Sequence, residues 1–507
     1  MKRSLAILLS LLGASIALAA ALSLAFGDRR AEEIEDDLRA GAGPQEPEIE
    51  ALPGESEEDL ARRRREAHEA MLNRDYPLHG LVTAAQIVVR READPQAPPV
   101  GWLRLGGRVR LKREPTRTPT CSSGWYELYP RGFACAGRGI EIGETPPVAP
   151  AAEAAADTSS ALPYRYYLVR EPQVPEYHRL PSRDEQRAAL AHRDRYLELL
   201  NGGDERRARL LREGRLGEPA MPEVVARYLE RGFYVASNAV EVRAFRRFVR
   251  TVRNSYVKEA QLLETTGADF AGVELDEETT LPIAWAVRAA RPMRRVVAPD
   301  GTERFVDDDG MEPWERLARV PWLRRERHGA HVYHVLEGPD GEPRYVRAWF
   351  VGVAERIDPP RGVEDDEPWV HVDVSEQTLV VYRGATPIYA TLVSTGLAGH
   401  DTPIGEFTIR RKFVSDTMAN LGPDAGDDSY RIEDVPWTQY FQGSIALHGA
   451  FWHARFGLRR SHGCVNLAPR DARWVYEHTW PEVPEGWHGV STEGRSGFRG
   501  SRVVVTE

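Results

Sequence analysis

Residues 447–453 read LHGAFWH and residues 461–467 read SHGCVNL, and these two stretches carry most of the chemical information in the chain. They place His448 16 residues before Cys464. A cysteine needs thiolate character to act as a nucleophile, and a nearby imidazole supplies it by accepting the thiol proton. On adjacent strand ends joined by a loop, the two side chains could meet. Gly463 would let a substrate carbonyl approach the backbone, with the amides of Gly463 and Cys464 as oxyanion donors.

Three further motifs precede this pair in the same part of the chain. DVSEQTL occupies residues 373–379, STG residues 394–396 and TPIGEF residues 402–407. Alternating or continuous apolar runs surround them, which is typical of strands. The sequence therefore predicts a compact β-rich domain over residues 364–507. Its expected strands cover residues 369–374, 377–382, 387–394, 405–410 and 501–506.

Together these motifs resemble the L,D-transpeptidase family of peptidoglycan cross-linking enzymes (YkuD-type catalytic domain), over residues 368–507. The family signature is a histidine, a spacer and a Ser/Thr-His-Gly-Cys-x-Asn/Arg block. The resemblance implies a β-sandwich-like catalytic domain at the carboxyl end of a multidomain, mainly β chain. The positions that match the signature are His448, Ser461, His462, Gly463, Cys464 and Asn466.

The resemblance also implies a reaction. Cys464 would attack the carbonyl that joins the L-centre of a diamino acid to D-alanine in a peptidoglycan stem tetrapeptide, releasing D-alanine and leaving a thioester. His448 would be the general base, and the Gly449 carbonyl would orient its ring. Transfer to the amine of a neighbouring stem would complete a 3-3 cross-link in the cell wall. Carbapenems would acylate the same cysteine, and neither a cofactor nor a metal is implied.

Other side chains receive roles from the same comparison. His462 and Ser461 would shape the loop around the nucleophile. Asn466 would brace that loop by side-chain hydrogen bonds and is a candidate for substrate binding. Trp452 and His453 lie in the spacer, where family members have a substrate-cleft loop, so both are candidate substrate-binding residues, with a packing role as the alternative.

Two other interpretations stay open at this point. Imidazole and thiolate are zinc ligands, so a zinc site is the chief rival chemistry, although a histidine and a cysteine separated by one glycine chelate poorly. A non-catalytic wall-binding protein is the second rival. Within the enzyme interpretation, the same acyl-enzyme could serve L,D-carboxypeptidase or amidase activity, or attachment of a protein to the wall. The residues that a zinc site would use are His448, His453, His462 and Cys464.

The amino terminus predicts export to the cell envelope. A basic Met-Lys-Arg start is followed by an apolar run at residues 5–26, and small-x-small spacing occurs at residues 17–21. This pattern indicates a signal peptide over residues 1–27, or a membrane anchor if the segment is retained. A periplasmic or cell-envelope location follows. Residues 28–79 read as an acidic linker and a helix that begins after Ser56.

Charge and cysteine content restrict the partners. The 507 residues include 67 basic and 77 acidic ones, a net charge of −10, which argues against a general nucleic-acid binder. Of the three cysteines, Cys121 and Cys135 could close a loop in an oxidising compartment, leaving Cys464 free. Three unrelated buried cysteines are the alternative.

Between the amino terminus and the catalytic motifs, composition divides the chain. Residues 80–143 predict a small antiparallel barrel similar to bacterial SH3-like modules, and residues 144–160 form a Pro/Ala-rich linker. Residues 161–360, the middle region, predict an α+β accessory part with a helix capped at Ser182 and a hairpin around residues 338–341.

Within residues 364–507, called the catalytic part below, the polar insertion at residues 414–442 suggests a flap over the cleft. Residues 424–428 supply its acidic stretch and residues 437–441 its aromatic one. The aromatic side chains could instead anchor the insertion to the sheet.

Overall fold

The computed structural model describes residues 47, 49–147, 155–421, 430–494 and 496–507. It is mainly β, with 41% strand and 14% helix, which confirms the mainly β character that the sequence predicts. The α+β class of the middle region stays a prediction. The predictions for the export segment at residues 1–27 and for the acidic stretch at residues 424–428 lie outside the described residues. Among the helices of the described part, none is both long and apolar enough to cross a bilayer.

Four α-helices occur in the described residues, and local capping explains where two of them begin. Ser56 accepts a hydrogen bond from the Asp59 amide ahead of the first helix. Ser182 and Glu185 form a full capping box ahead of the second, as the sequence predicts. The helices are α1 (Glu57–Asp75), α2 (Arg183–Asn201), α3 (Glu205–Arg212) and α4 (Pro469–Glu477).

The strands before the catalytic part fall into two groups. The first group is β1 (Leu78–Val82), β2 (Gln86–Arg90), β3 (Pro99–Arg104), β4 (Arg108–Leu111), β5 (Thr116–Thr118), β6 (Cys121–Glu127), β7 (Phe133–Cys135) and β8 (Ile140–Gly143). The middle region holds β9 (Arg165–Val169), β10 (Val174–Tyr177), β11 (Val225–Leu229), β12 (Tyr234–Arg243), β13 (Arg246–Thr251), β14 (Tyr256–Lys258), β15 (Leu262–Thr265), β16 (Val273–Glu274), β17 (Ile283–Ala286), β18 (Met293–Val297), β19 (Glu303–Asp307), β20 (Arg319–Val320), β21 (Trp322–His328), β22 (His331–Glu337), β23 (Pro343–Arg347) and β24 (Val351–Ala354).

The catalytic part supplies the remaining strands. They are β25 (Pro368–Asp373), β26 (Thr378–Arg383), β27 (Thr386–Leu392), β28 (Gly405–Thr408), β29 (Arg411–Asn420), β30 (Tyr430–Gln442), β31 (Ile445–Gly449), β32 (Val465–Leu467), β33 (Gly489–Ser491) and β34 (Arg502–Thr506).

Two sheets enclose the core of the catalytic part. One is six-stranded in the order β16-β27-β26-β25-β34-β28, with β34 parallel to β25. The other contains the hairpin β29–β30 followed by β31 and β32. Strands β25 and β26 are buried almost throughout, and both are predominantly apolar in sequence. Helix α4 closes the core with Ala472 and Val475.

The first strand group packs directly on the catalytic part. Strand β3 pairs with β33, and Gly101 lies against the Trp487 ring, where an added Cβ would come within 2.3 Å. Arg104 forms a salt bridge with the buried Asp434. Cys121 and Cys135 are joined in a disulfide with Cα atoms 6.0 Å apart, and Cys464 is free. The likeness of this group to SH3-like modules stays a prediction.

The insertion at residues 414–442 lies within a long antiparallel hairpin. Strands β29 and β30 pair from Arg411 opposite Tyr440 to Asn420 opposite Tyr430. Trp437 and Phe441 are buried in the core, and the Trp437 indole donates to the Ala161 carbonyl at 2.7 Å. The aromatic residues therefore anchor the hairpin, the second of the two predicted alternatives.

Candidate active site

A pair of parallel strands brings the two informative stretches together. His448 lies on β31, and Cys464 immediately precedes β32. The two strands pair with Leu447 opposite Val465 and His448 opposite Asn466. Paired residues in a parallel ladder project from the same side of the sheet, so His448 and Asn466 share one face.

His448 is held as a neutral base. Its side chain is only 2% exposed, and burial lowers the pKa of the imidazole to about 4. Nδ1 donates to the Gly449 carbonyl oxygen at 3.2 Å, so Nε2 carries the lone pair. The Trp452 ring stacks on His448, with ring centroids 5.7 Å apart and planes inclined by 28°. The orienting contact is the one that the sequence comparison implied for Gly449.

Cys464 rests as a thiol. Its side chain is half-buried, and Sγ donates to the Ser444 carbonyl at 3.8 Å. Burial is the larger influence and raises the pKa of the thiol to about 11, while the backbone N–H of Ala446 acts in the opposite direction. Because the pKa of His448 lies far below this value, the proton stays on sulfur until the sulfur attacks.

The nucleophile loop, residues 461–464, is fixed by hydrogen bonds to its own backbone. The Ser461 hydroxyl donates to the Cys464 carbonyl and accepts from the Gly463 amide, the latter at 3.1 Å. Gly463 has a φ of +111°, which favours glycine. The Gly463 amide donates to the Ser461 hydroxyl in this conformation, so it is not available to an oxyanion. Of the two predicted oxyanion donors, the Cys464 amide is the one without this bond to Ser461.

Thr402 of the TPIGEF motif holds the same loop from outside. Its hydroxyl donates to the Gly463 carbonyl at 2.8 Å and accepts from the Gly396 amide at 3.0 Å. Gly396 belongs to the STG motif, and it also bridges to Ser461. The STG and TPIGEF motifs thus meet at the nucleophile loop, although the sequence alone assigned Thr402 no role.

His462 is an exposed residue of the nucleophile loop and lies between two rings that the sequence analysis did not select. His400 meets it edge-on, with ring centroids 4.6 Å apart, and Tyr430 stacks on it at 5.6 Å. Burial raises the pKa of Tyr430. His400 lies within two residues of the TPIGEF motif, whereas Tyr430 comes from the hairpin and has no local signal.

His453 and Asn466 form a pair. The Arg455 amide donates to His453 Nδ1 at 3.2 Å, so the neutral ring carries its proton on Nε2. Nε2 lies 2.9 Å from the Asn466 amide group, which must present its oxygen there. In the opposite orientation that oxygen is buried without a partner among the described residues.

This pairing bears on both predicted substrate-binding roles. Asn466 is 3% exposed, and its side chain bonds to His453 of the spacer and not to the nucleophile loop, so its bracing and substrate-binding roles both stay predictions. Burial lowers the pKa of His453 to about 3, so the ring remains neutral. Trp452 is half-buried beside His448, and its contribution to the cleft stays a prediction.

Within the part of the chain that the structure describes, no group of three or more histidine, cysteine or acidic side chains could hold a metal ion.

Comparison with known proteins identifies the same part of the chain. Residues 367–505 match the family model YkuD, the L,D-transpeptidase catalytic domain. This match identifies residues 367–505, the carboxyl-terminal part of the chain, as an L,D-transpeptidase catalytic domain. The family model leaves residues 1–366 unmatched.

Curated relatives align with the same part at low identity. YciB of Bacillus subtilis is 26% identical over 136 residues, which are 24% of this chain and 64% of that protein. L,D-transpeptidase 1 of Mycobacterium tuberculosis is 27% identical over 133 residues, 25% of this chain and 52% of the relative. The corresponding values for L,D-transpeptidase 2 of that organism are 27% over 119 residues, 22% and 29%. The chain thus spans less than two thirds of each of these relatives.

Solved structures give similar matches. An L,D-transpeptidase from Stackebrandtia nassauensis is 25% identical with a TM-score of 0.20, covering 28% of this chain and 57% of that one. An L,D-transpeptidase from Mycobacterium smegmatis is 19% identical with a TM-score of 0.23, covering 46% of this chain and 88% of that one.

Proposed function

We propose that the chain is a cysteine-dependent L,D-transpeptidase that acts on peptidoglycan stem tetrapeptides and forms 3-3 cross-links. The observation that carries this proposal is the orientation of His448. The Gly449 carbonyl holds its Nδ1–H, so Nε2 is the basic nitrogen, on the strand that pairs with the one beginning after Cys464. Both residues fall inside the part that matches the L,D-transpeptidase catalytic domain.

Acylation of Cys464 is the first half of the reaction. Sγ attacks the carbonyl carbon between the diamino acid and D-alanine while His448 Nε2 takes the thiol proton. The Cys464 amide stabilises the resulting oxyanion. The intermediate collapses with cleavage of the carbon–nitrogen bond, and His448 returns the proton to the leaving D-alanine amine. A thioester on Cys464 remains.

Transfer is the second half. The amine of a neighbouring stem attacks the thioester, His448 accepts its proton, and the proton returns to sulfur as the new amide forms. Water in place of the amine gives L,D-carboxypeptidase activity, and a protein amine gives attachment to the wall. The acceptor we propose is the amine of a neighbouring stem, and no cofactor takes part.

The compartment follows from the same proposal. A peptidoglycan enzyme works in the cell envelope, and residues 1–27 have the pattern of an export signal or membrane anchor. The disulfide between Cys121 and Cys135 supports an oxidising compartment. The cell wall and its stem peptides are then the partners, and nucleic acid is not.

Mass spectrometry of the purified protein tests the reaction. Incubation with tetrapeptide muropeptides should give an adduct on Cys464 that has lost D-alanine, followed by a cross-linked dimer or a hydrolysed product that names the acceptor. Cys464→Ala is the control and should show neither. An unmodified wild-type protein, with muropeptides and with a carbapenem, would overturn the proposal.

A further inference from the structure

The spacer loop, residues 450–457, lies between His448 and the nucleophile loop, and the middle region contacts it from several sides. Tyr166 of β9 stacks on Phe451, with ring centroids 3.9 Å apart. Tyr234 of β12 meets Phe451 edge-on at 5.4 Å and also contacts Trp452 at 6.4 Å. Two aromatic side chains of the middle region thus contact consecutive aromatic side chains of the loop.

The middle region also binds the backbone of the spacer loop. Arg316 donates to two of its carbonyls, that of Ala454 at 2.6 Å and that of Phe456 at 2.8 Å. The Thr265 hydroxyl donates to the Phe451 carbonyl at 3.3 Å. An arginine fork that bridges two carbonyls fixes their spacing, because the guanidinium is planar and rigid. The loop is therefore restrained at both of its ends.

The same loop contacts the catalytic base. Trp452 stacks on His448 and shields it, and the low exposure of His448 accounts for its lowered pKa. A continuous set of contacts therefore leads from Tyr234 through Trp452 to His448. The middle region lies outside residues 367–505, so this arrangement is separate from what the family match covers.

We propose that the middle region positions the catalytic base, with Tyr234 and Arg316 as the positioning residues that act through the spacer loop. This inference rests on the proposed function, because it assumes that His448 serves Cys464. A displacement of about 1 Å at a reacting group costs up to about a hundredfold in rate. Loss of either contact should therefore slow the chemical step more than it weakens substrate binding.

Steady-state kinetics on the full chain test the inference. The variants Tyr234→Leu and Arg316→Gln should lower kcat for D-alanine release about tenfold, with KM changed less than about twofold. Tyr234→Phe keeps the ring and should retain wild-type kcat. Arg288→Gln is the matched control, because Arg288 also donates to a backbone carbonyl of the middle region, that of Trp349, at 2.6 Å.

The pH dependence supplies a second readout. A spacer loop that no longer covers His448 exposes the imidazole, so its pKa rises toward the ordinary value near 6.5. The acidic limb of the kcat–pH profile, where kcat falls as the pH is lowered, should then move to higher pH in Tyr234→Leu and Arg316→Gln. It should stay in place in Arg288→Gln. A change in fold alone would lower the active fraction without moving the limb.

Thermal unfolding of each variant identifies those that keep the wild-type fold. Tyr234→Leu removes a ring contact, whereas Arg316→Gln removes hydrogen bonds to two backbone carbonyls. Either variant therefore tests the inference if it folds. If both are less stable than the wild type, the pH of the acidic limb is measured on the active fraction. Wild-type kcat and an unmoved acidic limb in these variants would overturn the inference. A wild-type protein that releases no D-alanine would instead overturn the proposed function.

Discussion

The Nδ1–H of His448 donates to the carbonyl oxygen of Gly449, its own neighbour in the chain, at 3.2 Å. A backbone carbonyl therefore does what a carboxylate does in many other catalytic sets, since it fixes the tautomer and leaves Nε2 basic. A neutral carbonyl stabilises an imidazolium less than a carboxylate does, so burial dominates and the pKa of His448 falls to about 4.

The rate of Cys464 acylation should fall at acid pH with an inflection near pH 4. His448 acts as a base only when neutral, and a group with a lowered pKa is neutral at every pH above that value. The rate constant with a carbapenem should therefore stay nearly constant between pH 5 and pH 8, a window we set from the lowered pKa of about 4. Rapid-mixing measurements across that range check it, and an inflection near pH 6.5 would contradict it.

Replacement of His448 by glutamine should lower acylation by about a hundredfold or more, since general base catalysis contributes roughly that much. Release of D-alanine from a tetrapeptide stem is the measurement. His478→Gln is the control, because His478 bonds to the Trp474 carbonyl and takes no part in the site. Equal rates for His448→Gln and wild type would remove His448 from the mechanism.

Sequence reasoning succeeded where the determinants are local. The capping box of Ser182 and Glu185 depends on residues three positions apart, and the apolar runs of β25 and β26 depend on their own burial. The contacts that shape the site are not of this kind. Arg316 reaches Ala454 across 138 residues, and Thr402 reaches Gly463 across 61. Such pairs depend on the packing of whole sheets, which no short window of sequence encodes.

Thr402→Val should loosen the nucleophile loop. The hydroxyl is buried and satisfies both the Gly463 carbonyl and the Gly396 amide, and valine would leave both groups without it. Each buried polar group left unpaired costs about 1–3 kcal/mol. Because two groups lose their partner, urea unfolding should show a loss of about 2–6 kcal/mol together with slower acylation. Thr402→Ser keeps the hydroxyl and should recover most of both; an unchanged midpoint in Thr402→Val would contradict the role.

The disulfide between Cys121 and Cys135 should stabilise the first strand group. It closes a loop of 14 residues, for which the entropic model gives about 3 kcal/mol. Thiol titration of the denatured protein should find one free thiol without reductant and three with it. Replacement of both cysteines by alanine should lower the midpoint of unfolding, whereas Cys464→Ala should not. Equal thiol counts with and without reductant would exclude the bridge.

Asp471 should make the stability of the catalytic part depend on pH. Its carboxyl is fully buried and accepts from the Gly272 amide and the Tyr389 hydroxyl, both at 2.8 Å, and burial raises its pKa to about 6. A carboxyl whose pKa is higher in the folded than in the unfolded state binds its proton more tightly when folded. Its contribution is therefore full below the unfolded pKa and is lost as pH rises through about 6.

The free energy of unfolding should consequently fall by an amount on the order of 1–3 kcal/mol between pH 4 and pH 7 through this group alone. Asp471→Asn removes the titration but keeps an oxygen for the Gly272 amide, so its unfolding free energy should vary less over that window than that of the wild type. Urea unfolding at both pH values measures the difference. Parallel pH profiles for variant and wild type would contradict the prediction, because they would show that Asp471 does not cause the pH dependence.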